Sequence, residues 1–169
     1  MDTTNQEPSQ KKAKVQKQKG KSSSTSAAAT NTITIIDATG CSLGRLCAIV
    51  TKRLRLGERI EVINAEKATL AGKPHVKQRY QDNMERGSRN WGPFQPKLPQ
   101  MIFRRTVRGM INYRESRGRD ALRRLNVHIG VPEGINASKA ETITEAKTKS
   151  TIHGFMTVGE LSRRLGAKW

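Results

Sequence analysis

Residues 32–63, TITIIDATGCSLGRLCAIVTKRLRLGERIEVI, decide the fold of this chain. The β-branched run 32–37 is typical of a buried strand. After a turn, Ser42 is a candidate N-cap of a helix whose apolar residues recur at helical spacing: Leu43, Leu46, Cys47, Val50 and Leu54. Gly57 can end this helix, and residues 60–64 form a second apolar run. Strand, helix and strand in this length predict a βαβ unit, hence two parallel strands joined by a right-handed crossover.

Further elements follow this unit along the chain. Residues 68–71 suit a short strand, whereas residues 73–100 are polar, basic and rich in Pro and Gly. Because a loop this long in a compact domain is usually functional, we predict a basic functional loop there. The remaining predicted elements are helices over Phe103–Tyr113 and Arg117–Leu125 and a strand over Asn126–Ile129.

The sequence predicts one folded α/β domain, residues 32–169, that follows a disordered arm. Residues 1–31 lack aromatic side chains and cannot bury enough surface to offset chain entropy. Their lysine cluster, 11–21, is a nuclear-entry signal, an arm that touches RNA, or a solubilising tail. Residues 152–169 are predicted to form a C-terminal helical extension, because TVGE at 157–160 is a capping box. The side chains expected to dock this helix are Leu161, Leu165 and Trp169, together with Met156, which is placed to form a hydrophobic staple with Leu161.

The charge of the chain is strongly one-sided. Its formal net charge is +18, from 32 basic and 14 acidic side chains. Residues 1–31 hold six lysines and two acids, which leaves 26 basic and 12 acidic residues in 32–169. Residues 73–124 alone carry 14 basic and four acidic residues. A merely solvated surface usually mixes both signs, so this balance favours nucleic acid as a partner, with salt-sensitive binding.

The densest basic segment is 103–124, which holds eight arginines among regularly spaced apolar residues. Arginine suits a polyanion because its planar fork pairs with phosphate at two points and stacks on bases. Val107, Met110 and Ile111 are predicted to pack on the sheet, which turns the arginines outward. Gly109 would let RNA or a neighbouring helix approach closely. The RNA-binding candidates of this segment are Arg104, Arg105, Arg108, Gly109, Arg114, Arg117, Arg119, Arg123 and Arg124.

The predicted loop and the first helix supply further RNA-binding candidates. Basic residues interleaved with aromatic residues suit phosphate contact combined with base stacking. These candidates are Arg45, Lys73, Lys77, Arg79, Tyr80, Arg86, Arg89 and Trp91. Three structural alternatives stay open. Trp91 and Phe94 could pin the loop onto the domain, Arg45 could stabilise a neighbouring loop, and Arg108 could pair with an acid such as Glu115 or Asp120.

Enzymatic chemistry has little support in the sequence. The turn with Gly40 and Gly44 lies before a helix, as in phosphate sites, but its spacing is neither GxGxxG nor that of a P-loop. Asp37 ends the first strand without a visible partner, and His128 lies in an apolar strand, which is typical of a satisfied structural histidine. We find no nucleophile with its base and no metal-ligand spacing, so we predict no catalytic residue, no metal site and no cofactor.

The two cysteines and the hydropathy indicate a reducing, intracellular compartment. Cys41 and Cys47 fit neither a zinc ribbon nor a redox pair, and we interpret both as small buried apolar residues. The sequence has no apolar run near the roughly 18 residues of a membrane span. The first residues lack the apolar segment of a signal peptide and the arginines of a mitochondrial transit peptide.

Six motifs occur here in the order in which a known protein family carries them. They are Asp37-Ala38-Thr39-Gly40; Leu43-Gly44-Arg45-Leu46; Val62-Ile63-Asn64-Ala65-Glu66-Lys67; Gly92-Pro93-Phe94; Arg105-Thr106-Val107-Arg108-Gly109-Met110; and Leu125-Asn126-Val127-His128 with Gly130-Val131-Pro132. Over roughly residues 33–169 the sequence resembles the ribosomal protein uL13 family in its eukaryotic form (L13a, also called L16). Two departures are the Ile111-Asn112 pair, where the family commonly has Leu-Pro, and a longer lysine-rich arm.

The resemblance implies a three-layer α/β/α fold with a four-stranded parallel sheet. It also implies a place in the large ribosomal subunit, bound to its large RNA, and it points at Arg105, Arg108 and Gly109. The expected function is that of a structural constituent that neutralises and stabilises folded rRNA, mostly through shape and backbone, and so supports translation. The expected partners are large-subunit rRNA and neighbouring ribosomal proteins, with no membrane and no homo-oligomer. The expected location is the cytoplasmic ribosome, with assembly in the nucleus or nucleolus; the alternatives are a free-standing RNA-binding regulator and a nucleotide-binding enzyme.

Overall fold

The structure, a computed structural model, describes residues 33–86, 90–149 and 154–169. The predicted disordered arm and the candidate Arg89 lie outside these residues. The elements in chain order are β1 (Ile33–Asp37), α1 (Leu43–Leu56), β2 (Arg59–Ile63), β3 (Thr69–Ala71), α2 (Lys73–Glu85), α3 (Pro99–Met110), α4 (Ser116–Arg123), β4 (Leu125–Val127), β5 (Phe155–Thr157) and α5 (Val158–Arg164).

The predicted βαβ unit is confirmed. Strands β1 and β2 pair in parallel from Ile33 opposite Arg59 to Asp37 opposite Ile63. The predicted apolar stripe of α1 is buried, and the helix ends at Gly57, whose φ of 105° is the left-handed conformation that glycine adopts most readily. Ser42 precedes the helix, but its side chain makes no capping hydrogen bond, so that part of the prediction is wrong.

The parallel sheet has three strands in the described residues, in the order β1-β2-β4, where four were predicted. At the other edge of β1 a single residue takes the place of a strand. The backbone N–H of Glu141 donates to the Ile35 carbonyl at 2.8 Å, and its carbonyl accepts from the Asp37 N–H at 3.1 Å. The carboxylate of Glu141 also forms a two-point ion pair with Arg53, with N–O distances of 2.7 and 2.8 Å. The fourth position of the sheet is therefore a bridge that a side chain from α1 holds in place.

Helices cover one face of this sheet. The side chains of Ile60, Val62 and Leu125 point into the core and are fully buried, while on the opposite face Ile33 is 51% exposed and Asn126 is exposed. The strand order advances in one direction across the sheet, so right-handed crossovers place both connections on the same face. The second helical layer of the predicted α/β/α sandwich is not found in the described residues.

A second, two-stranded sheet lies beside the parallel one. The strand predicted near 68–71 exists, but it pairs antiparallel with β5, from Thr69 opposite Thr157 to Ala71 opposite Phe155. The capping box of α5 is confirmed, because Thr157 Oγ1 accepts the Glu160 N–H at 3.1 Å. Three of the predicted docking side chains, Met156, Leu161 and Leu165, are buried. Trp169 stays 43% exposed, with its Nε1 donating to Ser162 Oγ at 3.0 Å.

The predicted loop 73–100 is wrong in its first half, because residues 73–85 form helix α2. Gly72, with a φ of 82°, and a proline in the first turn provide the start signal. The helical period is weak in the sequence because only Val76 and Tyr80, one turn apart, pack against the core. Before α3, the described part of the remaining linker comprises residues 86 and 90–98.

The boundaries around the arginine-rich segment also shift. Helix α3 begins at Pro99 and ends at Met110, α4 spans Ser116–Arg123, and the next strand is Leu125–Val127. Val107 and Ile111 face the core as predicted, but Met110 is 41% exposed. That prediction is wrong because the helix ends there, and Ile111, which has an extended backbone, turns inward in its place.

The predictions for the sulfur and imidazole side chains have different outcomes. Cys41 and Cys47 are both buried and free, as predicted. Burial raises the pKa of the Cys47 thiol. The Nε2 atom of His128 is buried and has no hydrogen-bond partner among the described residues, so the expected satisfied histidine is not found.

Candidate nucleic-acid interface

A close backbone contact fixes the junction between α3 and α4. A Cβ atom added to Gly118 would lie 1.9 Å from the Asn112 carbonyl oxygen and 3.1 Å from an Ile111 methyl group. The Asn112 side chain donates to Glu115 at 2.6 Å, which holds the connecting turn. This contact sets the directions in which the two arginine-bearing helices present their side chains, and the sequence analysis did not identify Gly118.

Arg108 is an exposed candidate whose side chain contacts an aromatic ring. Its guanidinium carbon lies 4.1 Å from the centre of the Tyr113 ring, a cation–π contact. Arg108 beside the phenol lowers the pKa of Tyr113, and Arg114 adds to this lowering. Within the described residues Arg108 forms no ion pair, so the alternative of a bond to Glu115 or Asp120 is not found there. Its charge remains available to an external anion.

Two candidates, Arg104 and Arg124, form hydrogen bonds with backbone carbonyls of the protein itself. Arg124 Nη2 donates to the Leu54 carbonyl at 2.8 Å, in the last turn of α1, where this carbonyl also accepts the Gly57 N–H at 3.2 Å. Arg104 Nη2 donates to the Leu122 carbonyl at 3.5 Å. Both arginines are partly buried and link helices to each other. We therefore assign them chiefly to the scaffold.

The candidates on and before α4 lie on an exposed surface. Arg119 Nη1 donates to the Arg114 carbonyl at 3.2 Å, and Arg123 pairs with Asp120 at 3.2 Å. An exposed pair of this kind contributes at most about 1 kcal/mol, so it can exchange for an external anion. Arg117 is exposed as well.

The structure brings candidates from two chain segments into one groove. Arg79 and Tyr80 from α2 and Arg105 and Gly109 from α3 line an opening of about 230 Å³. Tyr80 is half-buried, and burial raises its pKa, so its ring serves packing more than stacking. Nothing lies within 4 Å of a Cβ built on Gly109. RNA or a neighbouring helix was expected to approach this glycine, and no helix of the described residues does so.

The aromatic residues of the linker do not pin it to the domain, since Trp91 is 89% exposed and Phe94 is 69% exposed. Polar side chains hold its backbone instead. Arg105 Nη1 donates to the Phe94 carbonyl at 2.6 Å, and Ser162 Oγ donates to the Lys97 carbonyl at 2.6 Å. The aromatic rings are thus exposed on a linker whose backbone is tethered to the domain.

The remaining candidates stand apart from this groove. Lys77 and Arg86 are exposed on and just after α2, and Lys73 is the first residue of that helix. Arg45 is exposed, and its Nη1 reaches the Lys147 carbonyl at 3.5 Å, which supports the alternative that it stabilises a neighbouring loop.

A polar cluster joins the carboxyl ends of β1 and β2. Asp37 Oδ1 accepts hydrogen bonds from the Thr39 N–H at 3.0 Å, the Thr39 hydroxyl at 2.7 Å and Asn64 Nδ2 at 3.0 Å. Asn64 has a φ of 53°, which is rare outside glycine. Partial burial raises the pKa of Asp37, but these hydrogen bonds and the nearby Lys67 charge outweigh it, so the pKa is lowered. Asp37 therefore has partners that the sequence did not reveal, Thr39 and Asn64, and its role is to stabilise the fold.

We expect Asp37 to contribute to stability in a pH-dependent way. Its folded-state pKa lies below the unfolded value of about 3.9, so its contribution is complete above that value and is lost as pH falls through the folded-state pKa. D37N should cost about 1 kcal/mol at pH 7, at the low end for charge-assisted bonds because the carboxylate is partly solvated. Urea unfolding of D37N between pH 7 and pH 2 should show a shallower acid limb than wild type.

The matched control is D82N, which removes an exposed carboxylate on α2. It should leave the acid limb unchanged. If D37N followed the wild-type profile throughout, Asp37 would not be a stabilising carboxylate.

The described residues offer no other site chemistry. No group of three or more His, Cys, Asp or Glu side chains in them could hold a metal ion. None of their helices combines the length and apolarity that a bilayer-spanning segment needs.

Comparison with known proteins identifies the family. A family model described as ribosomal protein L13 matches residues 31–134. The large ribosomal subunit protein uL13 of Archaeoglobus fulgidus is 48% identical over 136 residues, covering 79% of this chain and 87% of the relative. The uL13 of Methanosarcina barkeri is 41% identical over 140 residues, covering 81% and 100%, and that of Methanopyrus kandleri is 43% identical over 137 residues, covering 79% and 86%.

A basic α/β fold with relatives of this kind defines the class: the chain is a ribosomal protein, a structural component and not an enzyme. Within that class, it belongs to the ribosomal protein L13 family, also called uL13. The resemblance in the six sequence motifs is thereby confirmed. The matched range includes α2, α3 and α4, and thus the groove lined by Arg79, Arg105 and Gly109.

Proposed function

We propose that this chain is a structural constituent of the large ribosomal subunit that binds and stabilises folded large-subunit rRNA. The observation that carries the proposal is the convergence of Arg79 and Arg105 on one open groove, with Arg108 exposed on the same helix. Among the residues that the structure describes, no acidic side chain lines that groove. A concentration of uncompensated cations on a rigid support is what a folded polyanion requires.

The mechanism is electrostatic neutralisation with recognition of shape. Arg79, Arg105 and Arg108 pair with phosphates, and the exposed backbone at Gly109 lets the RNA backbone approach without a side chain between them. Arg104 and Arg124 act indirectly, because their bonds to helix-end carbonyls hold α1, α3 and α4 together. Phosphate contacts set register and orientation and carry no sequence information of their own.

The proposed partners are large-subunit rRNA and the ribosomal proteins next to it, with no membrane and no second copy of the chain. The relatives are named as proteins of the large ribosomal subunit, which supports this assignment. We place the protein on cytoplasmic ribosomes, with assembly in the nucleus or nucleolus. The basic arm 1–31, which carries six lysines, is consistent with that route.

Replacing both Arg105 and Arg108 with Ala should reduce incorporation into large subunits about tenfold or more in competition with wild type. Two lost phosphate contacts should also lower the salt slope of RNA binding by about two. Incorporation is measured by quantitative mass spectrometry of purified subunits from cells that express both forms. Thermal unfolding of the isolated variant tests whether the fold survives the loss of the Arg105–Phe94 bond.

A control variant with Lys52 and Arg59 replaced by Ala removes the same charge from exposed positions outside the groove. It should be incorporated like wild type. Equal incorporation of both double variants would refute the assignment of this face.

Sedimentation tests the wider proposal. Tagged protein should comigrate with the large subunit after magnesium chelation and should remain bound through a high-salt wash. Release into the light fractions would instead indicate a free-standing RNA-binding regulator.

A further inference from the structure

A second, larger groove runs between the linker and α3. It has a volume of about 490 Å³, within the range of sites that hold small ligands. Its lining combines apolar side chains with cations: Phe94, Met101, Leu122, Arg104, Arg105 and Arg108. It shares Arg105 with the smaller groove, so both open on the face proposed to bind RNA.

The charge of this groove is uncompensated. Three arginines line it, and its lining in the described part of the chain contains no acidic side chain. The opening of about 630 Å³ at the α3–α4 junction differs, because Glu115 and Asp120 offset most of the charge of its three arginines. The groove beside the linker is thus both apolar and strongly cationic.

The exposed aromatic ring of this groove has a fixed position. Gly92 has a φ of 74°, and a Cβ added to it would lie 3.1 Å from the Phe94 ring. The ring therefore rests on the Gly92 backbone with its remaining surface exposed. The bond from Arg105 to the Phe94 carbonyl holds the same residue from the other side, at 2.6 Å.

We propose that this groove receives one unpaired base of the bound RNA, an inference that rests on the proposed function. A nucleobase has flat apolar faces, a polar edge and a phosphate on either side. Phe94 offers a stacking surface, Met101 and Leu122 offer apolar contact, and the Gln95 amide, which also lines the groove, can pair with the base edge. Arg105 and Arg108 neutralise the flanking phosphates. An apolar peptide would pack on the Phe94 ring but would bring no anion to the three arginines of the groove.

The test compares two RNA probes by fluorescence anisotropy at fixed salt, with the full chain. One probe is an oligoadenylate of about 12 nucleotides, and the other is the same strand with abasic residues at its centre. Wild type should bind the base-bearing strand about tenfold more tightly. F94A should abolish this difference while keeping the affinity for the abasic strand and its salt dependence, and F94W should retain it.

The matched control is F155A, which removes another exposed phenyl ring, on β5 and outside the groove. It should preserve the difference between the probes. A wild-type protein that bound both probes equally, or an F94A variant that still distinguished them, would overturn the inference while leaving RNA binding itself intact.

Two further outcomes distinguish a failure of the base-binding inference from a failure of the proposed function. If F94A impaired subunit incorporation but kept its preference for bases, the groove would hold a segment of a neighbouring protein, and the base proposal would be wrong. If wild type bound neither probe nor purified large-subunit rRNA in a salt-dependent way, the proposed function would fail together with the inference.

Discussion

Replacement of Gly118 by Ala is expected to destabilise the fold by about 3 kcal/mol or more. The added methyl carbon would lie 1.9 Å from the Asn112 carbonyl oxygen and 2.5 Å from its carbonyl carbon. Both atoms belong to the backbone, so the contact can be relieved only if α4 moves away from the turn that precedes it. That movement would displace Ala121, which is buried in the core, and Arg124, which is bonded to the end of α1.

Urea unfolding followed by circular dichroism measures this effect. The matched control is G109A, since Gly109 is also helical but a Cβ there meets no atom within 4 Å. G109A should raise stability by about 0.5–1 kcal/mol, because alanine is the better helix former. A G118A protein as stable as wild type would show that the close approach of α4 to Asn112 is absent.

Replacement of Val107 by Asp is expected to cost about 4 kcal/mol or more, enough to unfold a domain of ordinary stability. Val107 is fully buried where α3 packs against α1 and β4. A carboxylate there would lose its water without gaining a cation, since Arg105 and Arg108 are exposed and Arg104 is bonded to the Leu122 carbonyl. The variant should be largely unfolded or insoluble at 25 °C in circular dichroism and sedimentation.

Met110, one turn along the same helix, provides the control because it is 41% exposed. M110D should change stability by less than about 1 kcal/mol. A cooperative, wild-type thermal transition for V107D would refute the orientation of α3 relative to the sheet.

The parts of the fold that the sequence predicted are those with local signals. The stripe of α1, the glycine that ends it and the capping box of α5 each depend on residues within a few positions of one another. Helix α2 was missed because only two of its side chains, Val76 and Tyr80, contact the core, which is too few to produce a helical period. The sequence could not predict that Glu141 lies at the edge of the sheet, because that position depends on a single bridge to Ile36 and on the ion pair with Arg53.

In the candidate interface, too, local patterns could be predicted from the sequence, whereas long-range contacts could not. Composition indicated the arginine-rich segment, but it could not separate Arg108, which has no acidic partner in the described residues, from Arg124, which closes a helix end. The acceptors of Arg105 and Arg124 are carbonyls that lie 11 and 70 positions away. The sequence cannot indicate which carbonyl group accepts such a bond, because every residue carries one.

The pairing of β3 with β5 has a consequence for the order of events during synthesis. It joins residues 69–71 to residues 155–157, and the buried side chains of Met156, Val158 and Leu161 complete the core only when that late segment arrives. At about 5–20 residues per second, helices α3 and α4 precede it by on the order of 2–7 s. During that interval the nascent polypeptide carries the arginine-bearing helices α3 and α4 without the strand that completes the core. The surface proposed to bind RNA is therefore synthesised before the segment that completes the domain.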